Sequence, residues 1–155
     1  MSVNLLYNIA NYYVIPFWIM IVLFPNWEIS RKVMKSSLLF LPLIMIFLYL
    51  LSQSVTPESA SNLFFVPLEN IVLFFRGEEI ISLTWVQLLT LDLFVGRWIY
   101  WEGQRTGIFT AHSIILSYFG GGPSGILSHM ITVLINTTIN SNIFSSPSST
   151  EKNKS

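Results

Sequence analysis

The chain has 155 residues, of which 52% are hydrophobic and only 10% carry a formal charge, divided equally between eight bases and eight acids. Soluble domains usually carry about 25% charged residues, so this composition is typical of an integral membrane protein. The balanced charge gives no basic patch for nucleic acid. The absence of cysteine excludes disulfides, thiolate metal sites and a cysteine nucleophile.

Four apolar stretches predict an all-α fold, a four-transmembrane-helix bundle. The bundle would occupy one domain, residues 1–139, and a polar tail at 140–155 is predicted to be disordered. The first span covers about 5–24 and begins without the basic segment or cleavage pattern of a signal peptide, so we expect it to stay in the membrane.

A short basic connector at 25–35 leads to the second span, about 37–54. Three cations beside two span ends place this connector on the inner side of the membrane. The next connection, 55–82, is long and acidic and suits the opposite side. Its apolar part at 68–76 is predicted to be a short helix lying in the interface, with a re-entrant loop as the alternative.

The third span, about 83–101, has Trp85 at one end and three aromatic residues at the other, which is typical of interfacial belts. Asp92 lies nine residues from either end, so it is predicted to be roughly 14 Å deep. A charge at that depth costs at least about 2.5 kcal/mol, so Asp92 is expected to face the bundle and to have a partner. A functional carboxylate and a structural, hydrogen-bonded acid both stay open.

Two further polar residues lie on the third span. Gln87 and Arg97 belong to a second polar stripe, and Arg97 is about 140° around the helix from Asp92, from where it can reach the inner interface. Gly96, one turn from Asp92, lets another backbone come close.

The last span, about 111–136, is interrupted by Gly120–Pro123 at the same predicted depth as Asp92. The half-helix that starts at Ser124 would direct free amides and its positive dipole end into the membrane. Asp92 beside that helix start would form a polar pocket. The alternative is an ordinary kink that serves helix packing. With four spans, both chain termini would lie on the outer or lumenal side.

His112 and His129 bracket the last span. They would lie roughly 25 Å apart on a straight helix, so they could share a metal or haem only if the break folds the chain back. Each is either a ligand or an interfacial side chain. The sequence has no metal-ligand spacing or phosphate loop, so neither a metal nor a cofactor is predicted.

Segments 24–34, 85–100, 112–113 and 122–129 resemble the abscisic-acid-deficient-four-like family, in order, within residues 5–138. The most specific string is Asp-Leu-Phe-Val-Gly-Arg at 92–97. Plant members of that family are plastid membrane proteins required to make neoxanthin from violaxanthin, and other members are bacterial. Two positions depart from the family pattern: many members have His in place of Gln87, and plant members have Arg in place of Ala111.

The resemblance implies a xanthophyll isomerase in a thylakoid, plasma or plastid membrane, acting without a cofactor on an epoxy-carotenoid. Its partners would be membrane lipid and a carotenoid, and a homodimer or larger membrane complex stays open. The reaction needs an acid at the epoxide oxygen and a base at a nearby carbon. The candidate catalytic residues are Asp92, His112 and His129, and the candidate substrate-binding residues are Trp85, Gln87, Gly96, Arg97 and Pro123.

Two other functions compete with the isomerase. One is a non-catalytic carotenoid-binding or assembly factor of a photosynthetic membrane. The other is a small transporter or proton-relay protein built on Asp92.

Overall fold

The computed structural model describes residues 2–54, 67, 71–72 and 75–144. This part of the chain is helical and contains no strand, which confirms the predicted all-α class. Its elements, in chain order, are α1 Val3–Leu23, α2 Glu28–Lys35, a 3₁₀ turn Ser37–Phe40, α3 Leu41–Ser54, α4 Glu78–Thr106 and α5 Ala111–Phe144.

Three helical segments within the described residues are long and apolar enough to cross a membrane: Val3–Leu23, Ser37–Ser54 and Glu78–Thr106. They coincide with the first three predicted spans. The third is longer than expected, because α4 begins five residues before the predicted start at 83 and ends five residues after the predicted end at 101. Gly107, with φ 69°, adopts the left-handed conformation that ends α4.

The central element is α4, which contacts α1, α3 and α5. It approaches α1 closely at Gly96, where a Cβ atom would lie 2.6 Å from the ring of Trp18. Trp18 is itself buried and packs against Tyr118 of α5, with ring centroids 5.3 Å apart. A glycine at this position therefore lets three helices meet around one indole ring.

The connector between the first two spans contains a helix that the sequence did not reveal. In α2, Ser30 and Met34 are buried while Arg31, Lys32 and Lys35 are exposed. The helix has Glu28 in its first turn and lysines in its last turn, which complement the helix dipole. It is separated from both spans by non-helical caps, Trp27 and Ser36, and it contacts α1 and the 3₁₀ turn.

The largest departure from the predicted fold is in α5, which reverses direction. The side chains of His112 and Thr132 are hydrogen-bonded at 2.8 Å, and those of Ser113 and Ser128 at 2.9 Å. On a straight helix, twenty residues would separate the first pair by about 30 Å. The predicted single span at 111–136 is therefore wrong, because its two halves lie side by side.

The reversal occurs at Gly121, whose φ of 79° and ψ of 168° are not helical. It divides α5 into a first arm, 111–120, and a second arm, 122–144. The first arm is about 15 Å long, half the thickness of a bilayer core of about 30 Å. The second arm continues as far as Phe144, beyond the predicted domain end at 139, and the tail at 145–155 lies outside the described residues.

Small residues let the two arms pack closely. A Cβ atom on Gly125 would lie 2.5 Å from Cβ of Ser117 and 2.9 Å from the carbonyl oxygen of Ser113. Small residues at such spacing are a common way for apolar helices to associate, because they allow backbones to approach. We call this pair of arms the hairpin, with its tip at 120–123 and its base at His112 and Thr132.

The predicted interfacial helix at 68–76 falls mostly outside the described residues. Within it, Ile71 and Val72 are helical, and the amide of Phe75 donates to the carbonyl of Ile71 at 3.0 Å.

The close contact between the two arms predicts that replacing Gly125 by Ala destabilises the protein. On a straight helix this change would stabilise by up to about 1 kcal/mol through helix propensity. In the hairpin the added methyl group clashes, so we expect a loss of about 1–3 kcal/mol, measured as thermal unfolding of the purified protein. The control is Gly77→Ala, where the nearest atoms to the added methyl are 3.7 Å away. We expect that change to cost less than about 1 kcal/mol. A stabilised Gly125→Ala variant would contradict the packing.

Candidate functional site

Asp92 is the central residue of α4, fourteen residues from each end of the helix Glu78–Thr106. Its side chain is half-buried and points to the hairpin tip, where Oδ1 accepts a hydrogen bond of 2.6 Å from the amide of Gly122. The sequence placed Asp92 and the Gly120–Pro123 break at one depth, and the structure brings them into contact.

This contact is a helix cap supplied by another helix. Gly122 is the first residue of the second arm, so its amide has no carbonyl one helical turn earlier to which it could donate a hydrogen bond. A carboxylate is a favoured partner for such an amide because the helix start carries partial positive charge. Pro123 follows in the first turn, where a missing N–H costs nothing. A Cβ atom on Gly122 would lie 3.2 Å from Asp92 Oδ1 and 3.1 Å from Val95, so glycine allows the approach.

The second carboxylate oxygen of Asp92 has a different environment. Within the described part of the chain, the amide of Gly122 is the one hydrogen-bond donor to this carboxylate, and it binds Oδ1. Oδ2 accepts no hydrogen bond from any described residue. The site thus consists of a carboxylate at the tip of a glycine-rich turn, with one oxygen held by Gly122 and a second oxygen that no described residue binds.

Three of the candidate substrate-binding residues on α4 have other neighbours. Gly96 packs against Trp18, as described above. The indole Nε1 of Trp85 donates to Asn11 Oδ1 at 2.9 Å, which joins the first turns of α4 to α1. Gln87 is exposed, has no hydrogen bond within the described residues and lies about 140° around the helix from Asp92. The structure therefore does not assemble these three around the carboxylate.

Arg97 caps α2 instead of facing Asp92. Its Nε donates to the carbonyl of Met34 at 2.5 Å and its Nη2 to the carbonyl of Lys35 at 3.2 Å, and the guanidinium lies 5.5 Å from the ring centre of Phe40. The indole of Trp101 donates to the same Met34 carbonyl at 3.2 Å. Two side chains of α4 thus satisfy the free carbonyls at the end of α2.

The two histidines lie at the hairpin base. The side chain of His112 is hydrogen-bonded to that of Thr132. The ring of His129 is buried and packs edge-on against Trp98, with the ring centroids 5.4 Å apart. The fold-back brings these histidines onto facing arms, but both are distant from the tip, since His129 lies seven residues, or about 10 Å, along the arm from Gly122. The structure therefore separates both histidines from Asp92.

Within the described residues, no three side chains of His, Asp or Glu are arranged to hold one metal ion. His129 Nδ1 is buried without a hydrogen-bond partner there.

Sequence reasoning missed the residues that hold the hairpin together. Ser113, Ser117, Gly121 and Gly125 recur every four residues, which places small side chains on one helical face. That spacing is the signal that a close helix contact was required. It identifies a packing face without showing that the partner is the other half of the same stretch.

The fold and site define an all-helical protein with three potential membrane spans and a helical hairpin whose tip binds a central carboxylate. The sequence profile of the ABA DEFICIENT 4-like family matches residues 5–129. The protein ABA DEFICIENT 4, chloroplastic, from Arabidopsis thaliana is 36% identical over 127 residues, which are 79% of this chain and 57% of that protein. The chain therefore belongs to the ABA DEFICIENT 4-like family, which confirms the resemblance.

The chain spans a little over half the length of this curated relative. No solved structure is detectably similar to it.

The capping role of Arg97 predicts a stability defect when the guanidinium is removed. Arg97→Gln loses charge-assisted bonds to two carbonyls, so we expect thermal unfolding to show a loss of about 1–3 kcal/mol. The control is Arg105→Gln, because Arg105 is 75% exposed and pairs with Glu102 at the surface. Surface pairs contribute about 0–1 kcal/mol. Equal losses in the two variants would rule out a special role for Arg97.

Proposed function

We propose that this protein is embedded in a plastid or other photosynthetic membrane and isomerises an epoxy-carotenoid, in a reaction of the violaxanthin-to-neoxanthin type. Membership of the ABA DEFICIENT 4-like family supports a xanthophyll-related role. The name of the Arabidopsis relative assigns that protein to the chloroplast, which supports the location. The three apolar helices support the membrane placement.

In this proposal, α1, α3 and α4 cross the membrane, with the 3₁₀ turn at Ser37–Phe40 as the first part of the second crossing. The hairpin enters from the side of α2, reaches the level of Asp92 and returns. This arrangement replaces four crossings with three, so the two chain termini lie on opposite sides. The non-helical backbone at Gly121 then lies near the bilayer centre, where such a backbone is tolerated only against protein or a cavity. Contact with α4 meets that requirement.

The observation that carries the proposal is the Asp92 carboxylate at the centre of α4, which the Gly122 amide holds through Oδ1 while no described residue binds Oδ2. In the isomerisation, the epoxide oxygen gains a proton as its ring C–O bond breaks, and a nearby carbon loses a proton as the allene forms. No electron acceptor is needed, because the substrate gains one proton at oxygen and loses one proton at carbon, so the product is its isomer. Asp92 moves one of these protons through Oδ2. We assign no step to His112 or His129, because they lie at the hairpin base.

An apolar groove offers a contact surface for part of such a substrate. It lies between α1 and the first arm and has a volume of 220 Å³. Its tip end carries the ring pairs Trp18–Tyr118 and Tyr118–Phe119, which offer flat surfaces to a polyene. The remaining lining side chains are aliphatic: Ile15, Ile19, Val22, Leu23 and Ile115.

One observation favours the non-catalytic carotenoid-binding factor as the second candidate. The Asp92–Gly122 bond caps the second arm whether or not the carboxylate takes part in chemistry. A carotenoid-binding protein would need this bond for its fold alone.

The test is expression in a host that accumulates violaxanthin, followed by pigment separation. Asp92→Asn keeps an oxygen for the Gly122 amide but removes the proton-transferring group, so conversion should fall by about 100-fold or more while the protein accumulates normally. Asp92→Leu removes the cap as well and should also reduce protein accumulation. Gln87→Leu is the control, and it should retain conversion.

The outcomes separate the candidates. Full conversion by Asp92→Asn would exclude Asp92 as the proton-transferring group. Unconverted carotenoid that co-purifies with the unmodified protein, without any product, would contradict the isomerase and favour the binding factor.

A further inference from the structure

A second cavity lies at the C-terminal end of α4, away from the hairpin tip. Its volume is 350 Å³, and it separates the end of α4 from the connector before α2 and from the start of α5. Its polar walls come from Asn26 of the connector, Tyr100 and Gln104 of α4, and Thr110. None of its lining side chains is acidic.

Thr110 is the most informative residue of this cavity. It is only 8% exposed, yet its hydroxyl has no hydrogen bond within the described residues. Gly103, which also lines the cavity, makes room for it, because a Cβ atom on Gly103 would lie 2.5 Å from Thr110 Oγ1. Because Thr110 lines the cavity and no described residue pairs with its hydroxyl, that hydroxyl can bind a ligand in the cavity.

The start of the first arm provides further donors. The amide of Ile114 donates to the carbonyl of Thr110 at 3.1 Å, so Thr110 immediately precedes the first turn. The amides that follow it, on Ala111 and its successors, have no earlier helical carbonyl to bind. Ala111 also lines the cavity. Such a helix start, with its partial positive charge, favours an anion.

A cation is fixed at the rim. Arg31 of α2 donates through Nη2 to Gln104 Oε1 at 3.1 Å. Gln104 in turn donates to the carbonyl of Pro25 at 3.2 Å and to Asn26 Oδ1 at 3.3 Å. Tyr100 also donates to the Pro25 carbonyl, at 2.8 Å. This network holds the guanidinium beside the cavity, whereas Lys32 of the same helix is paired with Glu28.

We propose that this cavity binds the phosphate of an anionic lipid head group. The hydroxyl of Thr110 and the free amides of the first arm would bind phosphate oxygens, and Arg31 would balance their charge. Ile21, Ile108 and Phe109 line the same cavity and can contact the start of an acyl chain, since Phe109 is 74% exposed. The site is independent of the carboxylate at the hairpin tip and holds whether or not the protein is an isomerase.

The experiment measures lipid binding to the purified protein in neutral detergent, by native mass spectrometry and by thermal unfolding. The probes are phosphatidylglycerol, phosphatidylcholine and inorganic phosphate. Phosphatidylglycerol should bind the unmodified protein more tightly than phosphatidylcholine does. Thr110→Val, which keeps the shape of the side chain, and Arg31→Gln should each weaken phosphatidylglycerol binding at least fivefold.

Two matched variants serve as controls. Lys35→Gln removes the same charge as Arg31→Gln from the same helix, and Thr110→Ser keeps the hydroxyl. Both should bind phosphatidylglycerol within twofold of the unmodified protein. Equal weakening by Arg31→Gln and Lys35→Gln would overturn the site in favour of diffuse surface attraction. Unchanged binding by Thr110→Val, or equal binding of the two lipids, would overturn it as well.

Inorganic phosphate distinguishes the two sources of the anion. If millimolar phosphate displaces phosphatidylglycerol and its effect depends on Thr110 in the same way, the ligand of the cavity is a soluble phosphate and the lipid proposal is wrong. If phosphate at that concentration does not displace phosphatidylglycerol, the result supports the lipid head group as the ligand.

Discussion

The hydrogen bond from the amide of Gly122 to Asp92 is the contact on which the rest of this structure depends. It satisfies a helix start in the middle of the bundle, where an unsatisfied amide would cost several kcal/mol in lipid. It also fixes the height at which the hairpin ends, and thereby the length of the first arm. The same bond holds the carboxylate in one orientation and leaves its second oxygen open. Asp92 therefore serves both the fold and the proposed chemistry. For this reason the test compares Asp92→Asn, which can still accept the hydrogen bond from Gly122, with Asp92→Leu, which cannot.

The hairpin divides the polar residues of the chain into two groups. Asp92 and the glycine-rich turn lie at its tip, while the histidines, the Thr132 hydroxyl and the polar cavity beside Thr110 lie towards its base. Serines and Gly125 pack the arms together between these two ends. At the same end of α4 as the hairpin base, Arg97 and Trp101 fasten α2 to α4 through the carbonyl of Met34.

The sequence predicted the elements that depend on local pattern. Long apolar runs gave the three potential spans, and counting residues along two of the predicted helices placed Asp92 level with Gly120–Pro123. The fold-back could not be read in the same way, because a kinked span and a hairpin have the same apolar pattern and the same local helical bonds. They differ only in contacts between distant residues, such as His112 with Thr132. Likewise, α2 is too short for its periodicity to stand out, and the role of Arg97 depends on where the carbonyls of α2 come to lie.

The central claim, that α5 folds back on itself, is tested most directly by a disulfide between its arms. The native chain has no cysteine, so Ser113→Cys combined with Ser128→Cys gives a single pair of thiols. The two serine oxygens are 2.9 Å apart, whereas a straight helix would separate these residues by about 22 Å, far beyond the reach of a disulfide. Mild oxidation of the folded protein should therefore form an intramolecular disulfide in the double variant, detected by its mass and by its gel mobility before and after reduction. Free thiols, or disulfides between chains alone, would contradict the hairpin.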